Sequence, residues 1–141
     1  MPERRRPQHG LLDTSAVIDL ERLSAKDLPA EIAVSALTMA ELATGPEATR
    51  DPQERARRIA LIQHAEDTFD QLPFDIAAAR VYGRVYAAVT AVGRKARGRR
   101  ALDLLIAAVA LSNRLPLYTC NPDDFAGLES LIDIVAVAPQ A

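Results

Sequence analysis

"ALDLLIAAVAL", residues 101–111, decides the fold class of this chain. Ten of its eleven residues are apolar, and together with "SNR" (112–114) it reads as a long helix that is apolar nearly all round. Such a helix belongs at the centre of a layered protein rather than on its surface. One carboxylate interrupts it, Asp103. An unpaired buried carboxylate costs several kcal/mol at least, so its presence in this segment needs a reason.

Outward from this helix, short apolar runs alternate with helical stretches. "GLLDTS" (10–15) and "EIAVSAL" (31–37) predict buried strands, and "AVIDLERL" (16–23) and "TMAELATG" (38–45) the helices that follow them. "DPQERARRIALIQHAE" (51–66) opens with Asp51, Pro52 and Glu54 at the N-cap, N1 and N3 positions that start a helix. "FDQLPF" (69–74) is an ambiguous extended piece. "DIAAARVYGRVYAAVTAVGRK" (75–95) predicts a long helix with Val81, Val85, Val89 and Val92 on one face. "LPLYTC" (115–120) and "LIDIVAV" (131–137) are late strands. This alternation predicts an α/β domain with a central, mainly parallel sheet, in which ligands sit beyond the carboxyl ends of the strands. Residues 1–9 read as a flexible N-terminal tail, 10–137 as one domain and 138–141 as a C-terminal tail.

Composition narrows the class. With 49% apolar and 26% charged residues the chain is globular rather than disordered. A net charge of −2 gives no bulk signature of nucleic-acid binding, so the distribution of charge matters more than its sum. The single cysteine, Cys120, excludes an internal disulfide and fits a reducing compartment. With only His9 and His64 beside it, the chain lacks the ligands of a tetrahedral zinc cluster. No signal-peptide core follows the basic N-terminus, because Asp13, Asp19, Glu21 and Arg22 interrupt it. No apolar run reaches membrane-spanning length, and a cytoplasmic protein is expected.

Four acidic regions share an address in such a sheet. Asp13 ends the first strand, Glu41 is placed in the first turn of the helix after the second, and Asp103 in the first turn of the central helix. Asp123 and Asp124 follow the "LPLYTC" strand. Each has an ordinary structural explanation: a turn at Asp13, a Thr38–Glu41 capping box, a favourable helix dipole at Asp103 and a polar turn at "NPDD". Their conjunction at one sheet edge is harder to explain that way. Two carboxylates ~5 Å apart repel by roughly 3 kcal/mol at an effective dielectric of ~20, so a cluster calls for a cation. Oxygen ligands select a hard ion, Mg²⁺ or Mn²⁺, which activates water for phosphoester hydrolysis.

"LLDTSAVIDL", "SALTMAELATG", "ALDLLIAAVAL" and "LYTCNPDDF" occur in the order and at the spacing of a PIN domain, and most closely resemble the VapC-type toxins of bacterial toxin–antitoxin pairs. The resemblance runs from about Gly10 to Val137. It implies a three-layer α/β/α sandwich, a Mg²⁺- or Mn²⁺-dependent endoribonuclease, a homodimer, and a small VapB-like antitoxin that blocks the site. It assigns the metal-holding acids as Asp13, Glu41, Asp103 and Asp124, with Asn121 and Asp123 as further candidates in the last motif. Thr14, Ser15 and Thr119 become hydroxyl donors that orient the carboxylates.

"GRKARGRR" (93–100) places Arg94, Lys95, Arg97, Arg99 and Arg100 just before the Asp103 helix, where they can track an RNA backbone. The same segment also suits a helix end, with Gly93 as the stop and cations favoured by the dipole. Arg55, Arg57 and Arg58 read as a solvated helix face, and His64 has no assigned role. With aromatics at only 4% of the chain, extensive base stacking is not expected. Two other functions fit parts of the pattern: a phosphatase or phosphoacceptor domain with Asp13 as nucleophile, and a non-catalytic binding module. The first lacks a second acid close to Asp13 in "DTS", and the second leaves the joint presence of Asp13, Glu41 and Asp103 unexplained.

Overall fold

The computed structural model describes residues 8–140. Five strands form one sheet in the order β3-β2-β1-β4-β5: β1 (His9–Leu12), β2 (Glu31–Ser35), β3 (Asp70–Leu72), β4 (Leu117–Thr119) and β5 (Ile134–Ala136). Every neighbouring pair is parallel. Between them run the helices α1 (Thr14–Ile18), α2 (Ala36–Thr44), α3 (Pro52–Thr68), α4 (Ile76–Ala91) and α5 (Arg99–Ser112).

The period of two along the strands divides the interior into two cores. Leu11, Ala33 and Leu117 point to the face covered by α4 and α5, where they pack with Val85, Val89, Leu104 and Ala108. Their neighbours Leu12, Val34 and Tyr118 point to the opposite face and pack with Ala16, Val17 and Leu42. Helices on both faces of a parallel sheet make the expected α/β/α sandwich. The apolar 101–111 segment is its central helix, with Leu104 and every residue from Ile106 to Ala110 buried.

Chain connections leave β1 toward β2 and β3 on one side, whereas β4 and β5 lie on the other. The carboxyl ends of β1 and β4 therefore flank the switch point of the sheet, where a crevice opens.

Several boundaries differ from the sequence reading. His9, assigned to the tail, opens β1 and pairs with Glu31 at 2.9 Å; residues 1–7 of that tail lie outside the described residues. At the other end, Gln140 in the assigned C-terminal tail donates its backbone N–H to the Arg22 carbonyl at 2.8 Å. The 16–23 helix is a short α1 followed by a 3₁₀ turn at Leu20–Arg22. α4 stops at Ala91 rather than at residue 95, because Gly93 takes φ 77° and donates to the Thr90 carbonyl while Arg94 N–H reaches back to Val89. These two bonds are the Schellman pattern, which ends a helix on a left-handed glycine. Val92 consequently leaves the apolar stripe and is exposed.

Candidate active site

Asp13 is the last residue before α1 and caps it: Oδ1 accepts from the Ala16 backbone N–H at 2.9 Å. The same oxygen accepts from Ser15 Oγ at 2.7 Å, and Oδ2 accepts from Thr119 Oγ1 at 2.6 Å. Thr119 in turn accepts from the Asn121 N–H at 2.9 Å, and Ser15 Oγ from the Cys120 N–H at 3.1 Å. β1 and β4 are thus stitched together at their carboxyl ends around one buried carboxylate. Burial pushes the Asp13 pKa up and the Asp124 charge adds to it, while the three donors pull it down; the net shift is upward.

Glu41 is braced similarly from the other side. The Thr14 hydroxyl lies 2.6 Å from Glu41 Oε1 and 3.1 Å from Thr38 Oγ1. It has one proton to give, and the shorter contact to an ionised acceptor is the stronger. Thr14 therefore donates to Glu41, with the buried Thr38 hydroxyl as its second, longer acceptor contact. This overturns the capping box. The true N-cap of α2 is Ser35, whose hydroxyl accepts from Leu37 N–H at 3.0 Å, so Glu41 lies in the second turn and Thr38 faces inward. Thr38 is the site-supporting residue the sequence reading missed, because the Thr-x-x-Glu spacing that marks a cap also places two side chains on one helix face.

Asp103 lies in the second turn of α5, not the first: the helix starts at Arg99 behind Gly98 at φ 61°, with no side-chain cap. The helix dipole acts mainly over the first turn, so it does not account for this carboxylate. Among the described residues nothing donates a hydrogen bond to Asp103 or to the side chain of Asp124. Burial, then the charges of Asp124, Asp13 and Glu41, push Asp103 up to about 6, with Arg99 opposing them.

The four acids line one cavity of about 260 Å³ together with Thr14, Ser15, Arg99 and Asn121. Asp123 is exposed and does not line it; its carbonyl accepts from Arg94 Nη1 at 2.7 Å. A larger groove of about 1120 Å³ shares Thr14, Glu41 and Arg99 with the acid cavity and continues past Val17, Ile18, Leu42 and Leu61. Of the basic segment, Arg99 therefore stands at the junction of cavity and groove, and Arg94 is engaged with Asp123. Lys95 and Arg97 are exposed, and Arg100 is half-buried. Arg55 and Arg57 are exposed, as a solvated face, and make surface pairs with Glu47 at 3.0 Å and Glu54 at 3.2 Å; the partly buried Arg58 also pairs with Glu54 at 3.2 Å. Arg58 also ties α3 to the end of α2 through the Gly45 carbonyl at 2.7 Å.

The donor set suits a hard divalent ion: carboxylates only, two braced by hydroxyls, two without hydrogen-bond donors, and a mutual repulsion that a cation would relieve. Among the described residues no three His, Cys, Asp or Glu side chains stand close enough to grip an ion as placed.

A five-stranded parallel α/β/α sandwich with acids gathered at the β1/β4 switch point defines the class, and the PIN domain model matches residues 10–129; the chain belongs to the PIN-domain family. Within it the chain is of the VapC type. It is 37% identical over 131 residues to Ribonuclease VapC5 of Mycobacterium tuberculosis, covering 91% of this chain and 93% of that protein. A Ribonuclease VapC of Rickettsia bellii is 30% identical, over 86% of this chain and 91% of that protein. The crystal structure of VapBC-5 from M. tuberculosis, a member of the VapBC family of toxin–antitoxin systems, superposes with a TM-score of 0.79 at 36% identity. That match covers 94% of this chain and 99% of the other.

Proposed function

We propose that this protein is the toxin of a toxin–antitoxin pair and acts as a divalent-metal-dependent endoribonuclease. The observation that carries the reading is the single cavity in which Asp13, Glu41, Asp103 and Asp124 meet from four different elements. The names of the similar proteins, ribonucleases and toxin–antitoxin complexes, support it.

Asp13, Glu41, Asp103 and Asp124 would hold Mg²⁺, with Mn²⁺ able to replace it. When bound, such an ion activates water and stabilises the leaving oxygen of a phosphodiester. Ser15 and Thr119 fix Asp13, and Thr14 fixes Glu41, so that their outward lone pairs have one orientation. Arg99, at the mouth, faces the RNA phosphate, and Lys95, Arg97 and Arg100 extend the cationic track from it. Asn121 contributes a polar side chain at the cavity rim.

The groove beside the cavity suits the antitoxin. Its wall offers Ile18, Leu20 and Leu61 to an apolar partner segment, and its end opens on Glu41 and Arg99. A VapB-like chain laid there would cover the acids. The protein is read as a homodimer acting in the cytoplasm, where its RNA substrate is found. Among the described residues no helix is long and apolar enough to cross a membrane.

The test is RNA cleavage by the purified protein with Mg²⁺ and with chelator, beside Asp103→Asn. Cleavage that needs the ion and falls by roughly 10²-fold or more in the variant is expected. Cleavage by Asp103→Asn at the wild-type rate would overturn the assignment.

A further inference from the structure

In the basic segment 93–100 Lys95 and Arg97 are exposed, whereas Arg94 is bonded to another element of the fold. Arg94 is the third residue past the end of α4, and its backbone is already fixed by the Schellman bond from its N–H to the Val89 carbonyl at 3.2 Å. From that anchored base its guanidinium Nη1 reaches across to the Asp123 carbonyl at 2.7 Å, 29 residues away in sequence. This is a charge-assisted bond onto the backbone of the turn that carries Asp124.

A second contact holds the same turn to the same helix end. Gly127 has φ 99°, and a Cβ built there would lie 2.9 Å from Val92 Cγ2, 3.1 Å from the Ala88 carbonyl and 3.6 Å from Val89 Cα. The backbone at Gly127 is thus seated directly on the last turn of α4. The 3₁₀ turn Pro122–Phe125 is held at Asp123 by Arg94 and, just beyond its end, at Gly127 by close packing, with Asp124 between the two. Asp124 has no donor of its own among the described residues, so its place in the cavity depends on the backbone beneath it.

We propose that Arg94 is a positioning residue that locks the Asp124 turn onto the end of α4, and that it does not contact the RNA phosphate. The inference rests on the reading of Asp124 as part of a nuclease site, but its central measurement does not. Phe125 anchors the turn in the core, and losing the guanidinium frees it at one of its two attachments to α4. Asp124 then leaves the productive geometry while the cations that face the RNA stay in place.

Arg94→Ala, Arg94→Lys and Arg97→Ala are compared with wild type in the full chain. In Arg94→Ala, hydrogen exchange at the Asp124 and Ala126 amides, which bond to the Asn121 and Asp123 carbonyls, should accelerate roughly tenfold as that segment opens locally more often. RNA affinity and its salt slope should stay at the wild-type values, while kcat drops about 10–100-fold, as for groups that orient a site from behind. Arg94→Lys, which can still donate to the carbonyl, should recover most of kcat. Arg97→Ala should do the opposite, weakening RNA binding and flattening the salt slope. Gly127→Ala perturbs the second attachment and should reproduce the exchange and kcat changes of Arg94→Ala. Unchanged exchange at residues 124 and 126 in Arg94→Ala would overturn the proposal, as would a loss of RNA affinity with kcat intact. If wild type cleaves no RNA, the nuclease reading fails, and the exchange measurement still decides whether the lock exists.

Discussion

Asp13 and Asp103 line the same cavity and are both pushed toward the protonated form, first of all by burial. Both also feel the Asp124 charge, but their hydrogen bonding differs. Asp13 is 4% exposed and its two oxygens accept from Ser15, Ala16 and Thr119. It joins β1 to β4 and caps α1, so the fold would need it even without an activity. Asp103 has no hydrogen-bond donor among the described residues and faces three other carboxylates, with Arg99 as the opposing charge. It contributes nothing visible to the fold and raises its electrostatic energy. One acid is part of the framework; the other is held against the framework's interest. That asymmetry is what the proposed role of the two acids at a cation site predicts.

The contrast is sharpest in stability. Thr119→Val removes the donor to Asp13 Oδ2 and leaves a buried carboxylate oxygen unmatched, which should destabilise the protein by about 1–3 kcal/mol in chemical denaturation. RNA cleavage should fall by roughly 10–100-fold as Asp13 loses its orientation. Asp103→Asn, measured in chelator, should go the other way and unfold at higher denaturant. If both variants lose stability alike, the two acids are not the different things described above.

A smaller effect appears with pH. Folding raises the Asp103 pKa from 3.8 to about 6, so the folded protein binds that proton more tightly than the unfolded chain. The resulting penalty is full above about pH 6 and disappears as pH falls through the folded value toward the unfolded one. Asp13, also shifted upward, has the same sign. In metal-free protein the stability advantage of Asp103→Asn over wild type should therefore shrink by about 1 kcal/mol between pH 7.5 and pH 5, after allowance for solvent screening of a half-exposed group. A gap that is constant with pH would mean that Asp103 is not crowded by the other acids.

The smallest effect lies outside the acid pair. Neutralising Arg97 and Arg100 should lower the slope of log affinity for RNA against log salt by about 1–2, since each phosphate contact releases roughly 0.7 counterions from a single strand. An unchanged slope would leave the acids in place but remove the cationic track beside them.

Much of this was legible before the structure. The α/β alternation, the parallel sheet and the central helix follow from apolar runs and their lengths, since these reflect burial that tertiary contacts cannot reverse. β3 was ambiguous because an edge strand of three residues, Asp-Gln-Leu, carries no alternation to read. Caps were the weak point. Ser35 gave no stronger signal than Thr38, and the start of α5 has no capping side chain at all, so Glu41 and Asp103 were each placed one turn too early. Hydroxyl partners next to an acid in sequence, such as Ser15 beside Asp13, are readable from spacing. Thr38 behind Thr14 and Arg94 on Asp123 are not, because those contacts bring together residues 24 and 29 positions apart.

In the proposed function Asp103 is kept in an apolar helix for a divalent ion. Thermal melts of wild type and Asp103→Asn at pH 7.5, in chelator and in millimolar Mn²⁺, test it most directly. Wild type should melt below the variant in chelator and rise strongly with Mn²⁺, by the linkage that rewards whatever binds the native state alone. The variant should start higher and respond weakly, so that the order narrows or reverses. Equal Mn²⁺ shifts in the two proteins, with Asp103→Asn the less stable in chelator, would contradict the account.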